Sequence, residues 1–154
     1  MKHPLELKVI PVFQFIIAAI LMLFVAKLFS LSTGLLAVKG FISGIFIFMA
    51  GVFGLAGIIS FRIAKTTVDP SKPNNASVLV QSGIFRLSRN PMYMGLVCLL
   101  IGWAAWLGSI YSLFVVILFM LYMSRFQILP EERALIEIFG DEYLDYCLKV
   151  NRWL

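Results

Sequence analysis

The sequence predicts an all-α integral membrane protein of about four transmembrane helices. The last two pair as a helical hairpin, and short amphipathic C-terminal helices follow. Two observations carry that class. Of 154 residues, 61% are hydrophobic and 14% are charged, and mean hydropathy is +0.96. Soluble domains average about 45–50% apolar and about 25% charged, and a chain this short could not enclose so much apolar surface in one water-soluble core. The apolar residues also gather into four runs separated by polar or turn-forming segments.

The first run, 9–26, follows a short polar start with Lys2 and Lys8 and is interrupted only by Pro11 and Gln14. A basic start before an apolar run also describes a signal peptide. This run is long for one and lacks a convincing small-x-small site after it, so it reads as the first span, with Lys27 snorkelling at its far end. Residues 28–39 read as a turn region. The second run, 40–61, is long enough to cross about 30 Å of hydrocarbon. It carries Gly40, Gly44, Gly51, Gly54 and Gly57, a small-residue face that lets another helix approach closely and could serve a homodimer.

Residues 62–90 form the one substantial polar segment between the runs. Pro70, Pro73, Asn74 and Asn75 forbid a regular helix there. Val78 to Val80 reads as a short extended piece and Gln81-Ser82-Gly83 as a turn. The third run, 91–107, opens on Asn90 as N-cap and Pro91 at N1. Gly108-Ser109 makes a tight turn, and the fourth run covers 110–123, with the helix extending as far as Leu129. Pro130 then restarts the chain. Glu131 to Phe139 reads as a short helix with acid in its first turn, Gly140 ends it, and Asp141 caps the next helix, 142–150. Tyr143, Tyr146, Cys147 and Val150 share one face of that helix at i, i+3, i+4, i+7 spacing.

Charge fixes the expected orientation. With four spans, the N-terminus, the 62–90 segment and the tail lie on one side and hold eleven of the thirteen Lys and Arg residues. The other two connections hold only Lys27 and Lys39. The positive-inside rule places both termini in the cytoplasm. The net charge of +5 thus reads as topology and lipid contact rather than nucleic-acid binding. His3 is the only histidine and the two cysteines, Cys98 and Cys147, lack metal-ligand spacing. A histidine-based metal site and a Ser-His-Asp triad are therefore not expected.

Two polar motifs remain, one on each side of the hairpin: Arg89-Asn90-Pro91-Met92-Tyr93-Met94-Gly95, and Pro130-Glu131-Glu132 running on to Arg152-Trp153-Leu154. The helix opening at Pro91 offers unpaired N–H groups to a carboxylate or phosphate, and Arg89 adds a full charge. Glu131 and Glu132 offer acceptors for ribose hydroxyls or an ammonium group. Tyr93 and Phe85 offer flat apolar surface. S-adenosyl-L-methionine carries a carboxylate, an ammonium, a ribose and an aromatic base, plus a sulfonium. Taken singly, Asn-Pro and Pro-Glu-Glu are also ordinary helix starts.

The pattern Gly83-Ile84-Phe85, Arg89 to Gly95, Glu131-Glu132, Phe139-Gly140-Asp141-Glu142-Tyr143, Tyr146 and Val150 resembles the isoprenylcysteine carboxyl methyltransferase family. It is similar also to the wider group that includes phosphatidylethanolamine N-methyltransferases. The resemblance covers roughly 77–154; residues 1–60 share only two apolar spans. It implies an integral membrane enzyme using S-adenosyl-L-methionine, with Ser77, Val78, Leu79, Val80, Phe85, Asn90, Pro91, Met92, Tyr93 and Glu131 around the cofactor. Arg89 and Gly95 belong to the same cofactor motif. It further implies a lipid-facing entrance for an amphiphilic acceptor. On this reading 1–154 is one domain, with two spans in 1–61 and a cofactor-binding core in 62–154.

Relative to the eukaryotic carboxyl methyltransferases, Asn90 stands in place of His, Phe85 in place of Tyr, and Gln127 in place of an Arg linked to the substrate. An Arg would suit a carboxylate acceptor and a neutral Gln does not; Arg125, two residues earlier, is the cation that could compensate. Arg125 or Gln127 is expected to contact the acceptor. An amine acceptor would need a base, for which Glu132 and Tyr93 are the nearest candidates. Phospholipid N-methylation and thiol methylation are the alternatives within this chemistry. Outside it stand an NADPH-dependent membrane reductase, a small four-helix transporter and a non-catalytic membrane subunit. Against the transporter, none of the four apolar runs contains the Asp or Glu that proton coupling uses.

Overall fold

The computed structural model describes residues 6–7, 9–29, 35–65 and 78–154. Ser77, Pro70, Pro73, Asn74 and Asn75 lie outside the described residues. The order is α1 (Pro11–Leu28), α2 (Leu36–Ile63), a 3-10 turn (Gly83–Arg86), α3 (Pro91–Leu107), α4 (Ser112–Met123), a π-helical turn (Ser124–Ile128), α5 (Leu129–Phe139) and α6 (Asp141–Lys149). Among the described residues every regular element is helical. The protein is a multi-pass membrane protein.

Three helical stretches are long and apolar enough to cross a bilayer: α1, α2 and the continuous 112–139 stretch. α3, at 17 residues, is shorter, about 25 Å by helical rise. It is also the most enclosed helix. Val97, Cys98, Leu100 and Ala104 are buried, and α1, α2 and α4 all pack on it. The outward faces of α1, α2 and α4 are apolar, with Phe24, Phe48 and Phe114 all more than half exposed, as suits lipid contact.

Polar side chains inside the bundle bond to backbone carbonyls of neighbouring helices, a common device in membranes. Ser43 Oγ donates to Gly102 O (2.8 Å), Trp103 Nε1 to Ala19 O (3.3 Å) and Ser112 Oγ to Met22 O (3.4 Å). α2 and α3 form the most extensive helix pair. A Cβ at Gly95 would lie 3.2 Å from Ala50 O and 3.4 Å from Gly54 N, and one at Gly102 would lie 3.3 Å from Ser43 O. The small residues that let these backbones meet are thus on α3 as well as α2. Gly44 and Gly51 have no neighbour within 4 Å of a built Cβ.

The structure corrects the expected break at Pro130. α4, the π-helical turn and α5 run on without interruption. Proline lacks the N–H for an i−4 bond and its ring crowds that carbonyl. A π-helical turn immediately before it offers the extra residue that relieves both problems. The fourth span is therefore not short, and its cytosol-facing expectation, Glu131-Glu132, sits on the same rod. The real corner is Gly140, at φ +55°, ψ −127°, a region essentially restricted to glycine. It makes Gly140, not Asp141, the residue capping α6, with Asp141 as the first helical residue. Tyr143 and Tyr146 face inward as the spacing predicts, while Leu148 is 87% exposed.

Gly95→Leu is expected to push α2 from α3 at a cost of about 1–3 kcal/mol, read as a lower unfolding temperature in detergent. Gly44→Leu, at an open position, should leave that temperature unchanged.

Candidate functional site

The site lies where one end of the bundle, the 78–90 segment and the tail converge. Phe61, near the end of α2, meets Phe85 edge-on at 5.2 Å between centroids. Phe85 is buried in the 3-10 turn, and its carbonyl accepts the Tyr146 hydroxyl proton at 2.6 Å. Gln81 Nε2 reaches Glu142 Oε1 at 3.0 Å. The last residues then run back along the loop: Arg89 N–H donates to Asn151 O (3.0 Å), and Asn90 Nδ2 (3.0 Å) and Ser88 Oγ (3.4 Å) both donate to Arg152 O. Asn90 occupies the N-cap position of α3 but makes no side-chain cap bond. Its amide is used to hold the tail instead, which corrects the capping role expected for it.

Glu132 ties these pieces to α5. Arg152 binds it with Nε and Nη2, at 3.0 and 2.7 Å, and Arg89 Nη2 lies 3.2 Å from its Oε1. Arg89 also contacts the Cys147 thiol. The side chains of Arg89 and Glu132 are each 11% exposed. A bidentate guanidinium–carboxylate contact in a partly desolvated place fixes geometry as well as charge. The hydrogen bonds from Arg152 to Glu132 hold the guanidinium's pKa above its usual value. Burial pushes the Tyr143 phenol well above the usual tyrosine range, with the Glu132 charge adding to it. Burial likewise raises Tyr146. Both phenols stay neutral near neutral pH.

The second contact joins the two motifs directly. The Tyr93 hydroxyl, three residues into α3, donates to Glu131 Oε1 at 2.5 Å, and Gln127 Nε2 donates to the same oxygen at 2.6 Å. Gln127 and Glu131 are four residues apart across the junction of π-helical turn and α5, so they share one face of the rod. Between these two carboxylate hubs is a cleft of about 130 Å³, roughly ten times the space one water needs. Its walls are apolar and aromatic, with charge concentrated at a few points, the usual form of a small-molecule site.

Ten of the residues singled out from the sequence line this cleft: Val78, Leu79, Val80, Phe85, Arg89, Asn90, Pro91, Met92, Tyr93 and Glu131. Glu132 lines it too, and both its oxygens are bonded to Arg89 or Arg152. Gly95 does not line it; it is a helix-packing residue against α2. Arg125 is also elsewhere, with its side chain 55% exposed and 3.7 Å from Glu6. Gln127, bonded to Glu131, is not itself in the lining. Sequence reasoning missed Phe61, Leu135, Tyr143 and Tyr146 in the lining, and Arg152 as the partner of Glu132. The inward face of α6 was the available signal for the two tyrosines.

Fold and cleft together define a small multi-pass membrane protein with a ligand-sized aromatic cleft at one end of its helices. The phospholipid methyltransferase family pattern matches residues 38–142, and the chain belongs to that family. It is a membrane protein of the methyltransferase class. It is 46% identical over 63 residues to an uncharacterized protein of Haemophilus influenzae, covering 41% of this chain and all of that one. It is 35% identical over 98 residues to the protein-S-isoprenylcysteine O-methyltransferase of Saccharomyces cerevisiae, covering 62% of this chain and 38% of the yeast protein. No solved structure gives a significant match.

Replacing Glu132 with Gln removes the charge shared by Arg89 and Arg152. Breaking a buried pair from one side costs about 3–5 kcal/mol, and the partial exposure of Arg152 reduces that. The expected result is a lower unfolding temperature and faster amide exchange over 141–153, with exchange in α1 unchanged.

Proposed function

We propose that the protein transfers the methyl group of S-adenosyl-L-methionine to a lipophilic or amphiphilic acceptor at the cytosolic surface of the membrane. The observation that carries this reading is the Tyr93–Glu131 contact, which joins two motifs 38 residues apart at the wall of one cleft. The donor set suits the cofactor. Glu131 and Glu132 are acceptors for hydroxyls or an ammonium, and Tyr93, Tyr143 and Tyr146 are electron-rich walls for a sulfonium and a base. Arg89 Nε is buried without an acceptor among the described residues, and an acidic ligand group would satisfy it.

When bound, the cofactor supplies an activated methyl group on a sulfonium, a good leaving group. The protein's part is then alignment and exclusion of water rather than bond polarisation. Tyr93 and Gln127 hold the Glu131 carboxylate in place. Phe61, Phe85 and Leu135 keep the wall dry. The apolar outer faces of the helices present an acceptor with a lipid tail to the cleft from the bilayer.

A carboxyl oxygen as acceptor, compatible with the O-methyltransferase name of the yeast relative, is the first reading of the substrate. An amine acceptor is the second, and one arrangement favours it. Gln127 is neutral, Arg125 is turned to Glu6, and Arg89 in the cleft is already paired with Glu132. A carboxylate acceptor would have to compete for a guanidinium, whereas an ammonium headgroup would meet the Glu131 carboxylate, which could take the proton that the nitrogen must lose before it is methylated.

Glu131→Ala is expected to abolish S-adenosyl-L-methionine binding by calorimetry in detergent while leaving the helical circular dichroism intact. Unchanged affinity would remove Glu131 from the cofactor site. Incubating membranes with methyl-labelled cofactor and extracted lipids then identifies the acceptor: base-labile label marks an ester and stable label on nitrogen marks an amine.

A further inference from the structure

Leu7, ahead of α1, meets the π-helical turn just before Pro130. Its N–H donates to Phe126 O at 3.1 Å, a contact between residues 119 apart in sequence. Leu7 holds φ at +57°, uncommon for a leucine and maintained only where the surroundings fix it.

Glu6, one residue earlier, is fixed as well. Its carboxylate bonds to Arg133 Nη2 at 2.5 Å and lies 3.7 Å from Arg125 Nη1, and its side chain is 7% exposed. Arg125 lies in the π-helical turn and Arg133 just past the first turn of α5. Gln14, buried in α1, donates to Val9 O at 2.8 Å and so fixes how the segment enters the helix. On its other side the same turn is held by the tail, through Trp153 Nε1 to Ser124 Oγ at 3.2 Å.

We infer that Glu6 and Leu7 together latch the π-helical turn, and that Glu6 is a positioning residue for the Glu131 carboxylate. Arg125 and Arg133 bracket Gln127 and Glu131 on the rod. A carboxylate bridging them sets the pitch of that turn and with it the place of Glu131 Oε1 between Tyr93 and Gln127. Exposed ion pairs contribute little to global stability, and the arginine side chains here are about half exposed. The latch therefore acts on local geometry rather than on whether the protein folds. This assignment rests on the reading of Glu131 as a cofactor contact.

The test uses the full chain in lipid nanodiscs, as wild type, Glu6→Gln, Glu6→Asp, Arg133→Leu, the Glu6→Gln/Arg133→Leu double variant and Glu131→Ala. Amide exchange over 124–131 without any ligand reads the latch alone. It should quicken in Glu6→Gln and Arg133→Leu, no further in the double variant, and return towards wild type in Glu6→Asp. S-adenosyl-L-methionine affinity should fall roughly tenfold in Glu6→Gln, with turnover at saturating cofactor within about twofold of wild type. Unchanged exchange over 124–131 in Glu6→Gln overturns the latch whatever Glu131→Ala does. Quickened exchange with unaltered affinity overturns the positioning role if Glu131→Ala has lost binding. If Glu131→Ala binds normally, the cofactor reading fails and the positioning role fails with it, while the latch is judged by exchange alone.

Discussion

One oxygen of Glu131 accepts hydrogen bonds from both Tyr93 and Gln127, and the arrangement of the site depends on that meeting. Tyr93 belongs to α3, the enclosed helix of the bundle, while Gln127 and Glu131 belong to the rod that begins as α4. For the three to meet, the start of α3 and the π-helical turn of the rod must lie at the same depth. Glycines 95 and 102 fix the first condition by letting α3 seat against α2. The π-helical turn ahead of Pro130 fixes the second. Packing inside the apolar layer thus sets polar geometry at its edge, where a desolvated carboxylate is strongly affected by its neighbours.

Neighbouring Glu132 does different work. It points to Arg89 and Arg152 and gathers the 78–90 segment and the tail into a cover for the cleft. Consecutive acids on a helix project about 100° apart, so Pro-Glu-Glu can serve a ligand with one residue and the fold with the next. The division explains why the tail is amphipathic. Tyr143 and Tyr146 turn inward as cleft wall, while Leu144 and Leu148 remain exposed at the bundle's end.

Much of this was legible from residue order. Four apolar runs, an uncharged hairpin and the i, i+3, i+4 face of α6 are periodic features, and periodicity survives without coordinates. The convergence of the Asn-Pro and Pro-Glu-Glu motifs followed from a hairpin returning the chain to the side it left. What was hidden depends on contacts remote in sequence. Pro130 looks like a stop until a π-helical turn absorbs it. Asn90 looks like a cap until Arg152 O claims its amide. Gly95 sits inside a cofactor motif, yet its lack of a side chain serves α2. Arg125 has the right charge for an acceptor, but it stands two residues before Gln127, on the opposite side of a helix, and meets Glu6 instead.

The central claim is that the cover, the start of α3 and the start of α5 enclose one methyl-donor site. Ultraviolet cross-linking of methyl-labelled S-adenosyl-L-methionine to the membrane-embedded protein, followed by peptide mapping, tests it most directly. The account predicts label on peptides containing Phe85, Tyr93, Tyr143 or Tyr146, displaced by excess unlabelled cofactor. Displaceable label confined to α1 or to the 36–56 part of α2, or no displaceable label at all, would contradict it.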